Sequence, residues 1–139
     1  MKLSDIPQGL LVFLGGGTGA TLRWLLSVIL AVDTATQVWM INLTGAFILG
    51  LFLSFLSASG EDNEHRQALR LLIGTGLMGG FTTYSSFSVE TIKLAQQNLW
   101  GGFALSLGAT LTLGLLCCWL GTHLGTYLGT QYRTKTSTP

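Results

Sequence analysis

The stretch from Gly74 to Ser88 reads GTGLMGGFTTYSSFS, an unusual run of hydroxyls and backbone breakers inside an otherwise apolar segment. Gly79-Gly80 and Thr82-Thr83 each weaken a helix locally. A helix broken there has a chemical use. Its first half ends in free carbonyls, which suit a cation. Its second half begins with free N–H groups and a positive dipole end, which suit an anion. Broken backbone at membrane depth is tolerated where it is buried in protein or lines a wet cavity. The competing reading of the same residues is a kink hidden by packing.

Other polar groups fall at similar depth. Asn42 lies three residues before Gly45, and a mid-bilayer amide is costly unless it bonds something. It either bonds another helix or presents its NH2 donors to a passing solute. Ser106 and Thr110 are four apart and share a helix face; their hydroxyls either bond back to their own helix or join the same path. With Ser85 and Ser86 these residues make a donor-rich track without a fixed charge. Tyr84 and Phe87, three apart, offer electropositive ring edges, although core packing is the usual fate of such aromatics. Donors and ring edges suit a small, strongly hydrated anion.

The absences discriminate as well. Glu90 is the sole carboxylate within the third segment, toward its end, whereas a proton-coupled exporter needs a titratable acid within the membrane. Ser85 and Ser86 have no matched base or acid partner, which argues against a nucleophilic enzyme. His65 and His123 stand apart from each other, and Cys117-Cys118 reads as small apolar filler. A net charge of +1 gives no footprint for nucleic acid.

The elements that position these residues are set by composition. Only 9% of the 139 residues are charged and 48% are hydrophobic, too few charges to cover a soluble domain. The sequence therefore predicts an all-α membrane protein. A helix needs roughly 20 apolar residues to cross the ~30 Å hydrocarbon core. Four stretches qualify, at about 9–32, 38–58, 69–94 and 99–128, the third broken mid-membrane. They form one four-helix membrane domain over 1–130, followed by a polar tail over 131–139 that reads as disordered. A cleaved signal peptide is the weaker reading of the N-terminus, because Asp5 and Pro7 interrupt its pattern. The connection SGEDNEHR at 59–66 is the one plainly water-soluble join. Lys2, Arg66, Arg70, Arg133 and Lys135 lie on the side of the termini, which favours cytoplasmic termini in a multi-pass inner (plasma) membrane protein. Glycines recur four apart at Gly15/Gly19, Gly76/Gly80 and Gly121/Gly125/Gly129, a spacing for close helix approach. Such faces in excess of one chain's needs imply self-association.

Three motifs then carry a resemblance. GGGTGATLRW at 15–24, INLTGAF at 41–47 and GTGLMGGFTTYSSFSVET at 74–91 resemble, in order, the motifs of the Fluc (CrcB-type) fluoride channels. Helix four is less distinctive but places its hydroxyls at the matching spacing from Phe87. The resemblance implies a fluoride-selective channel that lets cytoplasmic fluoride leave by passive permeation, giving fluoride resistance. It implies an antiparallel, dual-topology dimer with a structural Na+ at its interface, held by the backbone carbonyls of Gly79 and Thr82. Asn42, Thr83, Tyr84, Ser85, Phe87, Ser106 and Thr110 fall on the anion pathway, and Arg23 takes a structural or vestibule role. Fluoride, sodium and membrane lipid are the implied partners.

Two features depart from the family pattern. Tyr84 stands where the family usually has phenylalanine, adding a donor and a bulky oxygen. The cation bias toward the termini exceeds what an evenly dual-inserting chain needs, so a heterodimer with a paralogue stands beside the favoured homodimer. The rival functions are a small proton-coupled four-helix multidrug exporter acting through Glu90 and a non-transporting membrane assembly subunit.

Overall fold

The structure, a computed structural model, describes residues 3–137; Lys2, counted above with the cations, and the last two residues of the tail lie outside them. Every regular element among the described residues is helical. A 3-10 turn (Leu3–Asp5) precedes α1 (Gln8–Ile29), and α2 spans Thr34–Ala58. The third segment begins as α3 (Glu64–Leu69), continues as a π-helix (Arg70–Leu77) and returns to α-helix as α4 (Met78–Phe81). After Thr82 and Thr83 it restarts as α5 (Tyr84–Gln96), and α6 runs Trp100–Ser137. α1, α2 and α6 are each long and apolar enough to cross a membrane. The third segment is long enough only as a whole, because the break divides it.

Local chemistry sets these boundaries. The Asp33 carboxylate accepts the Thr36 N–H at 3.0 Å, so α2 starts at Thr34, earlier than hydropathy alone indicates. Asn63 accepts the Arg66 N–H at 2.9 Å and starts α3 inside the stretch expected to be loop. Arg66 also donates to the Leu56 carbonyl and to Ser59 Oγ, closing the C-terminus of α2. Arg70 pairs with Asp62 at 2.8 Å and donates to Ser57 Oγ at 3.1 Å. Asn98, at φ 60°, adopts the left-handed conformation that turns α5 into α6.

The disordered tail is corrected: α6 continues through residues 131–137. Thr130 and Thr136 bond back to the helix, and Tyr132 packs its ring on Phe55 of α2 at 6.1 Å. At 38 residues α6 is about 57 Å long, well beyond the ~30 Å hydrocarbon core.

Glycine makes two close seams. α1 lies against the π-helix and α4: a Cβ on Gly15 or Gly19 would strike the Leu72 or Leu77 carbonyl, and one on Gly80 would strike Gly16. α2 lies along α6, where Gly121 and Gly125 meet the Phe47 and Leu51 carbonyls and Gly50 meets that of Cys118. Backbone thus touches backbone, the close approach that small residues permit in lipid. All the glycines in the four-residue spacings are used within the chain. The expectation of spare glycine faces is corrected, and self-association does not follow from them.

Candidate functional site

The break is built from two extended residues and one side chain of the neighbouring helix. Thr82 (ψ 160°) and Thr83 (φ −141°, ψ 117°) leave the helical path between α4 and α5. Asn42 of α2 closes the gap: its Oδ1 accepts the Thr83 N–H at 2.9 Å and its Nδ2 donates to the Thr83 carbonyl at 2.9 Å. Asn42 therefore bonds another segment, one of the two fates open to it in the sequence, and only one amide N–H remains for a solute. Gly45, three residues along the same helix, accommodates the break: a Cβ there would strike the Thr82 methyl. Sequence reading missed that role, although the N-x-x-G spacing carried the signal.

Thr83 then caps α5. Its Oγ1 accepts the Ser86 N–H at 3.1 Å, donates to Ser86 Oγ at 3.0 Å, and lies 3.3 Å from Ser85 Oγ. These two caps redirect the donors that an unbroken helix would send four residues back. The Thr83 N–H goes to Asn42 in place of Gly79, and the Ser86 N–H goes to Thr83 Oγ1 in place of Thr82. Gly79 and Thr82 are the residues the resemblance gives to Na+, and Gly79 has open space around its α-carbon. Carbonyl oxygens deprived of their helical donors fit a hard cation that takes oxygen ligands.

Three cavities surround the break. The first, about 450 Å³, is lined by Asn42, Gly79, Thr83, Tyr84, Phe87 and Thr110 among others, with no charged residue. The second, about 360 Å³, holds Arg23, Ser27, Thr34, Gln37, Ser85 and Ser86 and shares Thr83 with the first. The third, about 160 Å³, holds Ser106, Glu90 and Lys93 and shares Phe87 with the first. The single donor track expected from sequence is thus divided over three cavities joined at Thr83 and Phe87. Helical geometry explains this: Tyr84 and Phe87 share one face of α5, and Ser85 and Ser86 turn to another. Ser106 and Thr110 share a face of α6 yet line different cavities. Ser27, Thr34 and Gln37 were missed, since polar residues near helix ends carry no distinctive spacing.

The electrostatics differ among the three. Arg23, half-buried, has no ion-pair partner among the described residues, and no acid lines its cavity. Glu90 is engaged by Lys93 at 2.7 Å one turn on. The uncharged cavity holds the least satisfied group. Thr18, Thr21, Thr91 and Thr122 all bond back to the carbonyl four residues earlier. Thr110 does not; its Oγ1 is buried without a hydrogen-bond partner. Near it the rings of Tyr84 and Phe87 sit 6.4 Å apart, tilted by 50°, with Phe87 buried and Tyr84 82% exposed.

The model of the family described as CrcB-like protein, Camphor Resistance (CrcB), matches residues 10–122. The chain belongs to the CrcB family. The match contains Arg23, Asn42, the broken third segment, Ser106 and Thr110, and stops short of the projecting end of α6. Among curated relatives, the fluoride-specific ion channel FluC 2 of Leifsonia xyli subsp. xyli is 43% identical over 107 residues, 76% of this chain and 74% of that protein. The fluoride-specific ion channel FluC of Phocaeicola vulgatus is 37% identical over 116 residues, 81% of this chain and 93% of that one. FluC 1 of Mycobacterium bovis, also named a fluoride-specific ion channel, is 40% identical over 127 residues, 89% and 94% of the two chains.

Proposed function

We propose that this CrcB chain is a fluoride-selective channel that lets cytoplasmic fluoride leave passively, and that it is not an enzyme. The observation that carries the reading is the Thr110 hydroxyl, buried without a partner on a residue that lines one uncharged cavity together with Asn42, Thr83 and Phe87. An unpaired buried donor is costly, and an anion that takes its hydrogen bond offsets that cost. The names of the relatives supply the identity of the anion. Fluoride entering beside Arg23 meets a positive, hydroxyl-lined vestibule. It exchanges water for hydroxyl donors near Thr83, passes the ring edges of Tyr84 and Phe87 and reaches the Ser106 side. Chloride, larger and more weakly hydrogen-bonded, gains less from the same donors.

The third segment completes a fourth crossing of an inner plasma membrane in this reading. Two copies pair antiparallel through the exposed face that carries Tyr84 and the open Gly79. The carbonyls of Gly79 and Thr82 from both copies hold Na+, which supplies fixed positive charge beside the anion paths. Exporter chemistry through Glu90 has no support, because that carboxylate is already held by Lys93.

The test is ion release from liposomes that contain only this purified chain, followed with fluoride and chloride electrodes. Fast fluoride release without chloride release is the expected outcome. Equal release of both ions, or fluoride release that requires a proton gradient and Glu90, overturns the reading.

A further inference from the structure

We propose that Gly45 is a positioning residue for the cation: the bare patch it leaves on α2 seats the methyl of Thr82, and that seat helps to aim the Thr82 carbonyl. The inference rests on the channel reading above and names a residue on which its Na+ site depends. The Thr82 carbonyl belongs to the peptide whose N–H, that of Thr83, donates to Asn42 Oδ1 at 2.9 Å. In a trans peptide the C=O and N–H point in opposite directions, so this bond turns the carbonyl away from Asn42. Asn42 thus holds one end of the peptide. Gly45, three residues on and on the same face of α2, meets the other end. The second carbonyl assigned to the cation, that of Gly79, sits in α4, which Gly80 locks against Gly16 of α1. The two carbonyls are therefore aligned by different helices, and α2 governs that of Thr82.

The seat leaves the methyl no second place. The Thr82 N–H and Oγ1 both donate to the Met78 carbonyl, at 3.0 and 2.9 Å. The Cγ2 methyl is then directed at α2, where a Cβ on Gly45 would strike it. The buried Phe81 ring stands 3.5 Å from the same point and closes one side. The three substituents on Thr82 Cβ keep their cyclic order. Turning the hydrogen toward Gly45 therefore brings the methyl to the place of Oγ1, 2.9 Å from the Met78 oxygen. A carbon approaches a carbonyl oxygen only to about 3.3 Å. Relief of the clash must then come from the Thr82 backbone, and its carbonyl moves with it. Serine has no methyl to seat, and it keeps both the hydroxyl and the carbonyl.

The test reads Gly45→Ala in two backgrounds, the unaltered chain and Thr82→Ser. Sodium binding is measured as sodium retained through desalting into N-methylglucamine and as the rise in melting temperature when Na+ is added back. Fluoride release from liposomes is measured beside it. In the unaltered background Gly45→Ala is expected to weaken sodium binding and to slow fluoride release, each by about tenfold. In the Thr82→Ser background the same change is expected to cost less than about twofold, because the methyl it strikes is gone. Undiminished sodium binding in Gly45→Ala overturns the inference, and so do equal losses in the two backgrounds. If Gly45→Ala alone gives no monodisperse protein, the double variant decides: recovery of folded, sodium-binding protein supports the seat, and no recovery overturns it. Fluoride release by an unaltered chain that binds no sodium overturns the inference and leaves fluoride permeation standing. Failure of the unaltered chain to release fluoride overturns both.

Discussion

Asn42 and Thr110 are two polar side chains on the wall of one cavity, and the chain treats them in opposite ways. The Asn42 amide is engaged at both ends by the Thr83 peptide, whereas the Thr110 hydroxyl is buried with nothing to bond. A satisfied polar group in an apolar setting holds structure together; an unsatisfied one costs stability and waits for a ligand. Polarity at membrane depth therefore serves two ends here. Asn42 splints the broken segment, and Thr110, in the channel reading proposed above, keeps a donor open for the ion.

Substitutions separate the two roles. The largest effect is expected from Asn42→Leu, which orphans the Thr83 N–H and carbonyl together. Thermal unfolding in detergent is expected to report a loss of roughly 1–3 kcal/mol, and fluoride release is expected to fall more than tenfold because the α5 cap loses its anchor. Full release with a normal melting temperature would remove the splint from the comparison. Thr110→Val is expected to move the two readouts apart. Fluoride release falls about tenfold, while stability rises by about 1 kcal/mol as the orphaned hydroxyl disappears. A variant that loses both would make Thr110 a structural residue like Asn42.

The smallest effect is reserved for a cap remote from both. Hydrogen bonding from Thr36, its side chain first and its N–H second, holds the Asp33 carboxyl below its usual value. A depressed carboxylate stabilises the fold above its unfolded pKa of about 4 and loses that contribution as pH falls through the folded value. Asp33→Ala is expected to melt slightly earlier than the unaltered chain at pH 6, by a difference that narrows as pH falls below about 4, with fluoride release unchanged. A difference that does not narrow in acid would assign the effect to something other than the charged cap.

Much of this was legible in the residues. Low charge and long apolar runs gave the helical membrane class, and Gly79-Gly80 with Thr82-Thr83 located the break. The four-residue glycine spacings marked the seams but not their partners, since spacing says which face is small and not what lies against it. Asn42 was readable as a costly amide, yet its engagement with Thr83 is a contact across 41 positions that no local pattern encodes. The division of the hydroxyls into three cavities was hidden for a related reason. The turn of backbone at Thr82 and Thr83 decides which side of α5 faces which helix. The helical residues 131–137 defeated a composition argument, because Tyr132 finds Phe55 and the threonines satisfy themselves against the helix.

The π-helix at Arg70–Leu77 carries more residues per turn than the α-helices on either side of it. The third segment is tied to α2 on both sides of these turns, by Arg66 and Arg70 near the C-terminus of α2 and by Thr83 at Asn42. Those ties fix the height of the break along α2 but leave its azimuth open. The wider turns dial that angle. They bring Gly76 and Gly80 round to α1 while Thr82 swings toward Gly45, so the seam and the cavity wall are kept in phase by one stretch of slowly winding backbone.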